Sequence, residues 1–121
     1  MNGNTTLVAE LRRWIDENRD RLGSDAVLIT DKLPAMESNE QNSGCVGLSR
    51  DHILISFAAW NRQPIPVELI VYNTRINKTV MMEDFDVRTT EDVLNELDNV
   101  ARSLASGKYD DMKVDPKLSI S

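Results

Sequence analysis

Two alternating apolar runs stand on either side of a stiff turn: "HILISFAAW", residues 52–60, then "NRQPIP", then "VELIVYN", residues 67–73. Successive side chains of an extended strand leave opposite faces. Ile53, Ile55, Phe57 and Ala59 therefore project one way, and His52, Leu54, Ser56, Ala58 and Trp60 the other. In the second run Val67, Leu69 and Val71 oppose Glu68, Ile70 and Tyr72. The pair demands a sheet with one wholly apolar face, which something else in the chain must cover. The opposite face is mixed, with Trp60, Leu54, Ile70 and Tyr72 among polar neighbours, and it is either extra core or a contact surface.

The cover is supplied by two amphipathic segments. Leu7, Val8, Leu11, Trp14, Ile15 and Leu22 recur with the 3.6-residue period of a helix, with Thr5 or Thr6 as its cap and Gly23 at its end. Val93, Leu94, Leu97, Val100, Ala101 and Leu104 trace a second such face, with Thr89 and Asp92 spaced as a capping box and Gly107 at the stop. Three further runs read as strands: "AVLIT" (26–30), "CVGLS" (45–49) and "TVMMEDFDV" (79–87), the last entered through a hairpin loop at 74–78. Residues 31–44 are polar and without period, and read as a mobile loop. A chain of 121 residues is enough for one core. The expectation is an α+β fold: an antiparallel meander of about four to five strands, with an N-terminal and a C-terminal helix on one face, in a single domain over residues 1–107. Residues 108–121 form a tail, packed or flexible.

Charge and chemistry narrow the function. Fourteen basic residues against twenty acidic give a net charge of −6, which repels phosphate backbones and anionic lipid. The longest uncharged apolar run is far short of the ~20 residues a membrane span needs. The start "MNGNTTLVAELRR" lacks a basic segment leading into an apolar one, and a single cysteine, Cys45, allows no intrachain disulfide, so the expected compartment is the cytosol. "GLSRD" begins like a nucleophile elbow but has Asp51 where the second glycine must stand, and Cys45, Ser49 and His52 make a poor triad. One Cys and one His cannot furnish a zinc site. Asp84 and Asp86 share a strand face but have no Gly-rich phosphate loop beside them, so no catalytic residue, metal or other cofactor is expected. Residues 83–98 hold seven acids and one base. Such a run is a solvated face or a docking surface for a basic partner, and Glu91 and Asp92 also suit a helix N-terminus electrostatically. Trp60, beside a turn stiffened by Pro64 and Pro66, suits recognition or folds back into the core.

An N-terminal amphipathic helix, a strand ending in tryptophan ("ISFAAW"), a turn, the strand "VELIVYN", another hairpin and a closing helix after "RTTEDVLNEL" together resemble the TriTu group of bacterial immunity proteins, over residues 7–106. The turn "NRQPIP" stands where that group has a tighter, Gly-containing one. The resemblance implies a non-catalytic inhibitor from a contact-dependent growth-inhibition system. Its partner would be the C-terminal toxin domain of a cognate effector, with tRNA-cleaving nucleases that act in company with elongation factor Tu among the toxins. A nuclease is basic where it holds phosphate, so the expected partner-binding residues are the acids Asp84, Asp86, Glu91 and Asp92, with Trp60 and Tyr72 as apolar anchors. The competing expectation is an acidic secretion chaperone holding an extended effector segment.

Overall fold

The computed structural model describes residues 7–23, 28–31, 43–60 and 62–118. In chain order these form α1 (Leu7–Gly23), β1 (Leu28–Asp31), β2 (Ser43–Arg50), β3 (Ile53–Trp60), β4 (Ile65–Asn73), β5 (Lys78–Val87), α2 (Thr90–Ala105) and a single 3-10 turn at Pro116–Leu118. The strands make one sheet in the order β1-β2-β3-β4-β5, with every neighbouring pair antiparallel. This is the expected α+β meander.

Alternation sets which side is dry. Register places Val46, Phe57 and Leu69 in one row across the sheet, and Leu48, Ile55, Val71 and Met81 in the next. Val46, Leu48, Ile53, Ile55, Phe57, Ala59, Ile65, Val67, Leu69 and Val71 are all buried. Both helices lie on this inner face, α1 over β1 and β2 and α2 over β2, β3 and β4. Leu7, Val8, Leu11, Trp14 and Ile15 from α1 and Val93, Leu97, Val100, Ala101 and Leu104 from α2 complete the core. Each fully buried Leu, Ile, Val or Phe stabilises the fold by about 1.5–3 kcal/mol through removal of apolar surface from water.

The turns follow from residues that tolerate a left-handed backbone. Asp51 has φ 53° between β2 and β3, and Asn77 has φ 59° before β5. Asp and Asn accept that region better than other side-chain-bearing residues, which is how β2 and β3 join without a glycine. Buried Asn73 organises the β4–β5 turn, its Oδ1 accepting from the backbone N–H of Arg75 at 2.8 Å and of Ile76 at 3.3 Å.

At the start of α2, Thr89 Oγ1 accepts from Asp92 N–H at 3.0 Å while Asp92 Oδ2 accepts from Thr89 N–H at 3.2 Å, so the capping box forms with Asp in place of the usual Glu or Gln. Gly107 stops the helix with φ +84°. A side chain there would be strained by the backbone and would place its Cβ 3.1 Å from Asp110 Oδ2.

Residues 108–118 return over the body of the fold. Tyr109 joins the core, and Met112 and Val114 pack against it. Arg50 Nη1 lies 3.2 Å from Asp110 Oδ2, and Asp115 N–H donates to Val80 C=O at 3.0 Å.

Several boundaries differ from the sequence reading. β1 is Leu28–Asp31 where 26–30 was expected, β4 begins at Ile65 inside the proline turn, and the strand expected to begin at His52 begins at Ile53. Of the segment read as a loop, Asp31 ends β1 and Ser43 and Gly44 open β2, because their pairing partners Val46, Trp60 and Ala59 are in register with them. The rest of that loop, residues 32–42, lies outside the described residues, as do the helix caps Thr5 and Thr6.

Candidate binding surface

The second face of the sheet has no helix over it among the described residues. Its rows can be read from register. At one end Leu54 pairs with Tyr72, next Ser56 with Ile70 and Ile70 with Met82, next Ala58 with Glu68 and Glu68 with Asp84, and finally Pro66 with Asp86. Apolar side chains thus gather at the end near the β2–β3 turn, and carboxylates at the end near Trp60. Leu54 is 45% exposed and Met82 44%, unusual values for large apolar side chains on a strand. Ile70, Tyr72 and Trp60 are half-buried.

The acidic end is a corner of three carboxylates. Glu68 and Asp84 are direct cross-strand partners and Asp86 is two positions further along β5. Like charges placed opposite one another cost a sheet roughly 0.2–1 kcal/mol relative to neutral pairs. No ion pair to a described base relieves them; the ion pairs formed lie elsewhere, at Arg13 with Glu10 and Glu17, Arg50 with Asp110, and Arg102 with Asp98. No described base therefore neutralises the field at this corner.

The six residues proposed from sequence fall into three groups. Asp84 and Asp86 are exposed on the outer face of β5, together as expected. Trp60 ends β3 on the same face near them, whereas Tyr72 lies six strand positions away, about 20 Å at the usual rise. The Tyr72 hydroxyl donates to Asn77 Oδ1 in the β4–β5 turn, which fixes the ring at the apolar end. Glu91 and Asp92 sit in the first turn of α2, on the helix side of the sheet. Glu91 is exposed at the rim, and Asp92 holds the helix cap, its Oδ2 also accepting from Arg88 N–H at 3.3 Å.

Sequence reasoning passed over two members of this surface. Glu68 was visible as a polar position on the mixed face, but only its register with Asp84 makes it part of an acidic corner. Met82 shares the parity of Asp84 and Asp86 in "TVMMEDFDV", but only its register with Ile70 joins it to the apolar end of the face.

The residues with nucleophile potential do not converge. Cys45 Sγ is 3.2 Å from Ser56 Oγ on the outer face, while the His52 ring is turned away to bond the Asp110 carbonyl through Nε2 at 2.8 Å. Its Nδ1 is buried without a partner. Among the described residues no group of three or more His, Cys, Asp or Glu side chains is placed to hold a metal ion. None of the helices there is long and apolar enough to cross a membrane.

Comparison with known protein families, with curated proteins and with solved structures gives no match for this chain.

Proposed function

We propose that this chain is an immunity protein: a cytosolic inhibitor that binds the toxin domain of a cognate effector and neutralises it without catalysis. One observation carries the reading. The sheet face that no described helix covers joins an apolar ridge, exposed at Leu54 and Met82 and half-buried at Ile70 and Tyr72, to an acidic corner, Glu68, Asp84 and Asp86, that has no ion pair to a described base. Such a surface is costly to keep in water and has no chemistry of its own, but it suits a partner with an apolar patch beside a basic one. A nuclease, which must be basic where it holds phosphate, has that character, and a tRNA-cleaving toxin acting with elongation factor Tu is the instance the family resemblance favours. Complementary charge speeds encounter, and the apolar ridge then slows dissociation. Trp60 and Pro66 border the acidic corner and supply rigid contact area there.

The alternative, an acidic secretion chaperone, uses the same surface to hold an extended effector segment and functions as a dimer. The two separate on stoichiometry. Mixing the chain with the C-terminal domain of the protein encoded immediately upstream is expected to give a one-to-one complex by light scattering, with toxin activity abolished. A dimer of this chain on an unfolded segment would transfer the reading to the chaperone. The absence of any association would remove both.

A further inference from the structure

Among the described residues β5 is the last strand of the sheet, and β4 is its one partner strand. Half of the backbone N–H and C=O groups of an edge strand point away from the sheet, and proteins protect them by shortening the strand, breaking it with proline, bulging it, covering it or charging it; β5 carries charges and leaves its backbone groups open to a partner of opposite sign. Here β5 runs ten residues without proline or glycine. Its N-terminal part is covered once, where the returning tail donates from Asp115 N–H to Val80 C=O. The tail then turns away through Pro116–Leu118. Beyond Val80, residues 81–87 bond outward to no other described backbone.

Both flanks of this open edge are hollow. On the helix side an open pocket of about 170 Å³ is lined by Met81, Glu83, Phe85, Glu96, Lys108 and Tyr109 among others. On the outer side an open groove of about 520 Å³ is lined by Lys78, Thr79, Met82, Val114 and Leu118. A strand laid along an edge sends alternate side chains to opposite faces, so paired hollows of this kind are what strand addition uses for specificity, with main-chain bonds supplying affinity. Charge selects the occupant. The open segment carries Glu83, Asp84 and Asp86 and no base, and the helix-side pocket adds Glu96 against a single lysine, Lys108, so the acids still outnumber the bases there. A second copy of this chain would set the same carboxylates against each other. A basic segment would neutralise them.

We propose that the open edge of β5, residues 81–87, binds an extended basic segment of a partner protein by strand addition, with a lysine or arginine reaching Glu83 and Glu96 and apolar side chains entering the groove at Met82, Val114 and Leu118. This deepens the partner-binding reading above and rests on it for its biological meaning, but it is centred on the open edge of β5, which shares Met82, Asp84 and Asp86 with the outer face.

A synthetic peptide of alternating lysine and valine tests it on the whole chain, alongside the same peptide N-methylated at alternate residues and a version with glutamate for lysine. The expected result is that the unmodified peptide slows amide hydrogen exchange of residues 81–87 by tenfold or more, whereas the N-methylated and glutamate peptides leave exchange unchanged, because one lacks the strand donors and the other the charge. E83Q combined with E96Q, which keeps side-chain shape, is expected to weaken the unmodified peptide by about tenfold, the loss of two charge-assisted contacts. Equal binding of the N-methylated peptide would overturn strand addition, as would protection centred on Leu54, Ile70 and Tyr72, or dimerisation of the chain through β5. A toxin domain that binds with residues 81–87 still exchanging freely removes the edge and spares the immunity reading; a peptide that protects the edge while no upstream toxin domain binds does the reverse.

Discussion

The two faces of the sheet are made from the same strands and the same alternation, yet only one is a finished core. On the inner face Phe57 is fully buried between Val46 and Leu69 with α2 above it. On the outer face its neighbour on β3, Ala58, lies in a row that ends in two carboxylates, Glu68 and Asp84, with nothing described on top. The inner face is apolar except at its β5 edge, where Glu83 follows Leu69 in the same row. The outer face keeps exposed apolar area and opposed like charges, both of which work against the isolated fold. A surface retained at a cost to stability points to selection for something outside the chain.

Mutations that separate stability from binding sharpen or break this contrast. The largest effect belongs to the inner face: F57A should lower unfolding free energy by about 3–5 kcal/mol through lost burial and a residual cavity, as measured by urea denaturation. L54A, one residue-type change on the same strand but on the outer face, should change it by less than about 0.5 kcal/mol. Similar losses for both would mean that the outer face is core after all, covered in solution by something not in contact here. Next in size, D84K combined with D86K should weaken a toxin complex by roughly a hundredfold, about 2.7 kcal/mol, while leaving the denaturation midpoint in place or raising it.

The acids differ in what they do, and the next tests exploit that. D92A should cost about 1 kcal/mol of stability, because its carboxylate caps α2, with little change in partner affinity beyond that. E68K should have the opposite sign, stabilising the free protein by about 0.2–1 kcal/mol by turning the Glu68–Asp84 opposition into attraction, yet weakening the complex. A destabilised E68K would show that the corner is not repulsive.

The smallest effect is at the core's rim. Burial, chiefly, and then the nearby Glu83 carboxylate raise the Tyr109 phenol above its ordinary value of 10.0, against a lowering by its hydrogen bond with Ser103. A raised phenol pKa means that the folded state favours the neutral form. The associated stability is complete below the unfolded value near 10 and disappears as pH climbs through the folded value. Y109F should remove that alkaline loss in a denaturation series run above pH 9.

Much of the fold was legible because alternation and the helical period are local. Ile53, Ile55, Phe57 and Ala59 were assigned to the core face from spacing alone, as were the buried positions of α1 and α2, and the Thr89–Asp92 box was readable from its two residues. The β2–β3 turn was not, since it relies on Asp51 adopting a conformation that a sequence search assigns first to Gly or Asn. The binding surface was half legible. Asp84 and Asp86 share a face by strand parity, as does Met82, but Glu68 joins the aspartates, and Met82 joins Ile70, only through a long-range register. Trp60 and Tyr72 share a face for the same reason of parity, yet register puts them at opposite ends of it, a separation no single-strand pattern carries. Asp92 looked like any other acid in an acidic run until its hydrogen bonds placed it at the cap.

The central claim is that the uncovered face, through its acidic corner, holds a basic toxin. Calorimetric titration of the upstream protein's C-terminal domain into the native chain and into the D84K and D86K double variant tests it most directly. The account predicts a tight one-to-one complex for the native chain, weakening steeply with added salt, and its near-complete loss in the variant. Equal affinity for both chains, or heat of mixing indistinguishable from dilution with the native one, would contradict it.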